Sequence, residues 1–198
     1  MAEMLAWIYS GQHKLQDAEA LYKWIGHWFE KLSGPQHEDT LHMIHMLGCL
    51  QVKQGKLADA KENLRRALEG YENLHGPDDI DTLRIKLELG LLYEGAGRSD
   101  AQDLLLQVLA DYRKILGPHA KETSQAAFRI GTTFMSTGKL KEAEELLQES
   151  LNARKKELGQ EDPATHGDYQ APYAMLSSAR SVSRSRRHFS EDLMSSYE

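Results

Sequence analysis

The sequence predicts an all-α solenoid, a stack of antiparallel helix pairs about three and a half repeats long. Three observations carry this. A Gly-led segment recurs as Gly34-Pro35-Gln36-His37-Glu38-Asp39-Thr40, Gly76-Pro77-Asp78-Asp79-Ile80-Asp81-Thr82, Gly117-Pro118-His119-Ala120-Lys121-Glu122-Thr123 and Gly159-Gln160-Glu161-Asp162-Pro163-Ala164-Thr165, with glycines 42, 41 and 42 residues apart. A fixed period of this length marks stacked repeats. Midway lies a second signal: His13, Gly55 and Gly138 fall 21 residues before Gly34, Gly76 and Gly159, and Gly97 falls 20 before Gly117. Between the signals, apolar residues recur at helical spacing and leave one buried stripe per helix.

Each repeat is therefore read as helix, tight turn and second helix, over about 1–33, 38–75, 80–116 and 121–158. Gly takes the left-handed conformation that ends a helix, the following Pro cannot continue one, and Asp or Thr caps the next. The first helix of each pair carries a small residue after an aliphatic one, at Leu5-Ala6, Leu47-Gly48, Leu89-Gly90 and Ile130-Gly131. Tyr9, Tyr93 and Phe134 follow three residues later, with Gln51 the exception. The second helix repeats Ala18, Ala60, Ala101 and Ala143, each followed four residues on by Tyr22, Leu64, Leu105 or Leu147. Gly inside a helix costs about 1 kcal/mol against Ala, so its recurrence points to a steric demand where two helix axes approach. The third repeat is one residue short, and the shortfall falls in its turn, at Arg98-Ser99-Asp100.

The Leu-Gly-x-x-Tyr pattern, followed by Ala and a large apolar residue, resembles the tetratricopeptide repeat (TPR). The long period and the Gly-Pro linker resemble the extended repeats of kinesin light chains. Similar arrays occur at the C-terminal end of fungal nucleotide-binding immune-receptor-like proteins. The resemblance covers roughly residues 2–165 and implies a right-handed superhelix whose first helices line a concave peptide groove. Carried onto this sequence, the groove positions are His42, His45, Cys49 and Lys53, then Arg84, Leu87, Leu91 and Gly95, then Gln125, Phe128, Thr132 and Ser136. Leu87, Leu91 and Phe128 would be the apolar lining, with Arg84 suited to an acidic residue of the partner.

Two family activities fit poorly. TPR domains that clamp a C-terminal carboxylate use Lys, Asn and Arg, whereas His45, Cys49, Glu88 and Gln125 stand at those positions and only Arg129 fits. Kinesin light chains keep Asn before the Leu-Gly pair; here Met46, Glu88 and Arg129 precede it. His42, His45 and Cys49 share a helix face and have Zn-ligand chemistry. Three ligands along two turns do not converge easily on one ion, so groove lining is the stronger reading and no metal or other cofactor is expected.

Composition bounds the rest. The chain has 198 residues, a formal net charge of −6, one cysteine and no apolar run long enough to span a membrane. Neither nucleic acid nor membrane is an expected partner, and the expected location is cytoplasmic. No strand pattern, phosphate loop or nucleophile–base pair is evident, so the expected function is non-catalytic: a scaffold or adaptor that holds a protein or peptide in the groove. The alternatives are a truncated repeat region of a larger immune-receptor-like sensor and an RNA-associated adaptor acting through a basic tail. The first repeat exposes aromatics, among them Trp7, Trp24 and Trp28, which suggests self-association through that end. Residues 166–176 read as a degenerate or capping segment, and the Ser/Arg-biased 177–198 as a disordered tail.

Overall fold

The computed structural model describes residues 2–12, 14–158 and 172. Among them lie eight helices and no strand: α1 (Ala2–Gly11), α2 (Leu15–Ser33), α3 (Glu38–Lys53), α4 (Leu57–His75), α5 (Ile80–Gly95), α6 (Ala101–Leu116), α7 (Lys121–Ser136) and α8 (Leu140–Leu158). The all-α architecture of paired helices expected from the repeats is the one observed. The fourth Gly-led segment, the 166–176 segment and the 177–198 tail lie outside the described residues, Pro172 excepted, as does the side chain of Trp7. The chain forms two compact units, Met1–Asp111 and Tyr112–Glu198.

In the first unit each helix pair closes on a small residue. A Cβ on Gly48 would stand 2.9 Å from Leu64 Cγ, and one on Gly90 would stand 2.6 Å from Leu105 Cδ2. Both leucines are fully buried, so a side chain at either glycine could enter only by displacing the core. Neighbouring pairs then share apolar layers. Ala6, Ala18, Tyr22 and Ile25 pack with Met43, Leu47 and Leu50 of α3. Leu41, Ile44, Leu64, Ala67 and Tyr71 pack with Ile85 and Leu89 of α5. In the second unit Gly131 meets Leu147 as Gly48 meets Leu64, with Cβ to Cγ at 2.9 Å in both. A buried polar pair reinforces it: Ser150 Oγ donates to the Ser124 carbonyl at 2.8 Å.

The Gly-led linkers match the expected caps only in part, at Asp79. Gly34 (φ 97°, ψ 167°) and Gly76 (φ 90°, ψ 170°) end their helices in an extended, positive-φ conformation open essentially to Gly alone, not in the compact left-handed one. The threonine six residues later is not the cap. Thr40 Oγ1 donates to the Gly34 carbonyl at 2.8 Å and Thr123 Oγ1 to that of Gly117 at 2.9 Å, latching these two linkers from inside the next helix, whereas Thr82 Oγ1 is buried without a partner. The N-caps are His37, Asp79 and Ala120. Asp79 accepts from the amides of Asp81 and Thr82, whereas Ala120 offers its helix no side-chain acceptor.

Each inter-helix turn is also fixed by a bond from the amide of a basic residue to the carbonyl five residues before it. The pairs are Lys14 to Tyr9, Lys56 to Gln51, Arg98 to Tyr93 and Lys139 to Phe134, at 2.8 to 3.1 Å. In the three turns with an aromatic, the cation also lies over its ring, at 5.4 Å for Lys14, 4.3 Å for Arg98 and 5.0 Å for Lys139. Gln51 has no ring to offer and is held by Asn63 Nδ2 at 2.7 Å, and Lys56 turns to Glu19 of α2 at 2.5 Å. The shortened third turn is stapled by two bonds from Arg98 to Asp100, at 2.9 and 2.6 Å. There α6 begins at Ala101 itself, whereas α2, α4 and α8 begin three residues before Ala18, Ala60 and Ala143.

Candidate functional site

The first helices of the second and third repeats, α3 and α5, touch directly within the first unit. On their shared face the predicted groove residues separate into three kinds. His45 and Leu87 are buried, at 7% and 4% exposure, and belong to the helix contact rather than to an open lining. His42, Cys49 and Leu91 are half-buried. Lys53, Arg84 and Gly95 are exposed. Of the predicted residues, His42, Cys49 and Leu91 thus keep partly open side chains, and the cations Lys53 and Arg84 are exposed.

His45 is the unusual member. Its ring meets His42 edge-on, with centroids 6.5 Å apart, and its Nε2 is buried without a hydrogen-bond partner. Burial pushes the imidazole down to about 4; the nearby Glu88 and Asp81 oppose the shift, while His42 and Arg84 add to it. The group is therefore neutral at physiological pH. Arg84 reaches Asp81 one turn earlier on its own helix at 2.5 Å, and both side chains remain half exposed. Such an exposed pair holds the guanidinium only weakly.

In the second unit α7 carries the equivalent positions. Gln125 and Ser136 are exposed, and Phe128 and Thr132 are half-buried. Thr132 Oγ1 donates to the Arg129 carbonyl of its own helix at 2.9 Å, so the hydroxyl is already partnered. Among the described residues, no group of three or more His, Cys, Asp or Glu is placed to hold a metal ion. No helix among them is long and apolar enough to cross a membrane.

Sequence reasoning passed over Glu19, although its surroundings organise the first unit. Lys23 and then Lys56 hold its carboxyl down to about 2 through bonds of 2.7 and 2.5 Å. Gln54 Nε2 adds a bond to the Leu15 carbonyl at 2.9 Å. The recurring basic residue at positions 14, 56, 98 and 139 was the available signal.

Two tetratricopeptide repeat models match the chain, one over residues 40–81 and one over 81–156. The chain belongs to the tetratricopeptide repeat family. Among solved structures, this TPR chain is similar to the nearly identical TPR-like repeats of a protein designated a kinesin light chain, from Podosopora anserina. The match has a TM-score of 0.72 and 22% identity, and covers 96% of this chain and 90% of that one. A point variant of the same repeats gives a TM-score of 0.73 at 22% identity, covering 98% and 92%. BtubC (BKLC) from P. vanneervenii follows with a TM-score of 0.65 and 18% identity, covering 92% and 80%. At these identities the likeness establishes the fold of the TPR chain and not its partner. No curated protein matches it.

Proposed function

We propose that this TPR chain is a non-catalytic protein-interaction module, a scaffold or adaptor that holds an extended or helical peptide against the face of α3 and α5. The observation that carries the reading is that His42, Cys49 and Leu91 keep partly open side chains while Arg84 is only weakly held. Burial free energy follows the apolar area removed from water, and a few central anchors supply most of a peptide's binding energy. Lys53 and Arg84 favour a partner with an acidic residue beside its apolar anchor, which would raise the association rate more than the affinity. In the second unit, taken by itself, α7 carries Gln125, Phe128 and Thr132 at the matching repeat positions.

Quantitative affinity purification from the native cell tests this. Proteins retained by the wild-type chain should fall at least roughly tenfold with Arg84→Ala and Leu91→Asp combined, a loss of about 1.4 kcal/mol or more. Unchanged retention by a variant with unaltered helicity would remove the groove from consideration.

A further inference from the structure

One position on the outer face of α2 carries an aromatic where α4 and α8 carry a charge at the same place in the repeat. Arg66 stands ten residues before Gly76 and Glu149 ten before Gly159, and each pairs with a residue four before the preceding linker glycine: Glu30 with Arg66 at 2.7 Å, and Arg113 with Glu149. This position is therefore where one second helix meets the next. Its occupant on α2 is Trp24, 64% exposed. Trp28 and Leu32 follow at four-residue steps with 51% and 65% exposure. Phe29 holds the Trp28 ring from behind, edge-on with centroids 5.0 Å apart. The stacking surface continues onto α2, but it carries aromatics in place of an ion-pairing side chain.

We propose that this face is a self-association surface, on which α2 of two copies packs antiparallel about a two-fold axis at Trp28. The residues favour that arrangement. Equal spacing of Trp24 and Leu32 on either side of Trp28 lets each Trp24 meet the partner's Leu32 while the two Trp28 rings meet at the axis. Lys31, next to Leu32, comes beside the partner's Trp24, where a cation over an indole face is favourable. Lys23 pairs with Glu19 at 2.7 Å, a carboxylate it shares with Lys56, so its charge is partly offset at the contact. An isologous contact of this kind closes at two copies. Two tryptophans and a leucine supply roughly 400 Å² per copy, below the usual size of a permanent dimer and suited to a concentration-dependent one.

Light scattering on the full chain at high micromolar concentration should give a mass approaching twice that of one chain. Trp24→Glu with Trp28→Glu, and separately Leu32→Glu, should return it to the single-chain mass with unchanged far-UV dichroism. In a Cys49→Ser background, His27→Cys lies beside the axis and should be joined to its counterpart by a short bismaleimide. A wild-type chain that stays at the single-chain mass overturns the proposal, as does a larger mass that survives the substitutions. A larger mass that the substitutions abolish but His27→Cys does not cross-link indicates head-to-tail stacking or another face of the second copy, and overturns the two-fold arrangement.

Discussion

His45 leaves a polar atom unsatisfied at the contact of α3 and α5, because its buried Nε2 has no partner. A buried unsatisfied polar atom costs about 1–3 kcal/mol, so His45→Leu should leave the chain at least as stable at neutral pH. The pH response follows from the lowered value of about 4 against an ordinary 6.5. As pH falls through 6.5 the unfolded chain takes up a proton that the folded chain refuses until about 4, so stability is lost across that window, by on the order of 3 kcal/mol at most. Urea midpoints measured at neutral pH and near pH 5 should converge more closely for His45→Leu than for the wild type. Gly90 is the steric counterpart. Ala improves helix propensity there by about 1 kcal/mol, but its methyl meets Leu105 at 2.6 Å in a fully buried contact, and overpacking of this kind costs about 1–3 kcal/mol. Gly90→Ala should lower the urea midpoint although it replaces the poorer helix former.

At the scale of the element, the eight helices differ mainly in how their ends are finished. α5 begins with Asp79 capping two amides, whereas α7 begins at Ala120 with the same extended backbone and no acceptor. Ala120→Asp should therefore stabilise the second unit by about 1 kcal/mol, read as a raised urea midpoint, with the negative charge also suited to a helix start. Three of the four turns share the cation over an aromatic, and Lys139→Ala should cost about 0.5–1 kcal/mol through the lost Phe134 contact. The helices were legible from the sequence because Gly, Ala and Leu recur in register, and steric demand of that kind leaves a fixed residue type behind. The linker chemistry was legible only in part. Gly-Pro marks a stop, yet which carbonyl Thr40 reaches depends on how the linker folds back, which spacing alone does not encode. The candidate site was harder still. Leu87 and Leu91 look alike in sequence, one turn apart on one helix, and only the packing of α3 against α5 buries the first and leaves the second partly open.

Across the whole molecule, stability in a stack of this kind is a sum of pair stabilities and the contacts between neighbours. One such contact can be isolated. Glu30→Arg and Arg66→Glu should each destabilise the first unit slightly, and the double exchange should recover about 0.2–1 kcal/mol of coupling, as measured by a double-mutant cycle. The equivalent contact of the second unit has its signs reversed: the acid precedes the base in Glu30 and Arg66, and the base precedes the acid in Arg113 and Glu149. Hairpins this alike in shape can mispair during folding, a characteristic failure of repeat proteins. A chain that laid its fourth hairpin against its first would set Glu149 against Glu30, acid on acid, and lose the native attraction of about 0.2–1 kcal/mol. The reversal thus makes the skipped pairing electrostatically poorer than the native one. Arg113→Glu with Glu149→Arg keeps the native pair but makes the skipped one attractive, so it should match the wild type in equilibrium stability while refolding with a larger slow, aggregation-prone fraction in stopped-flow and light-scattering traces.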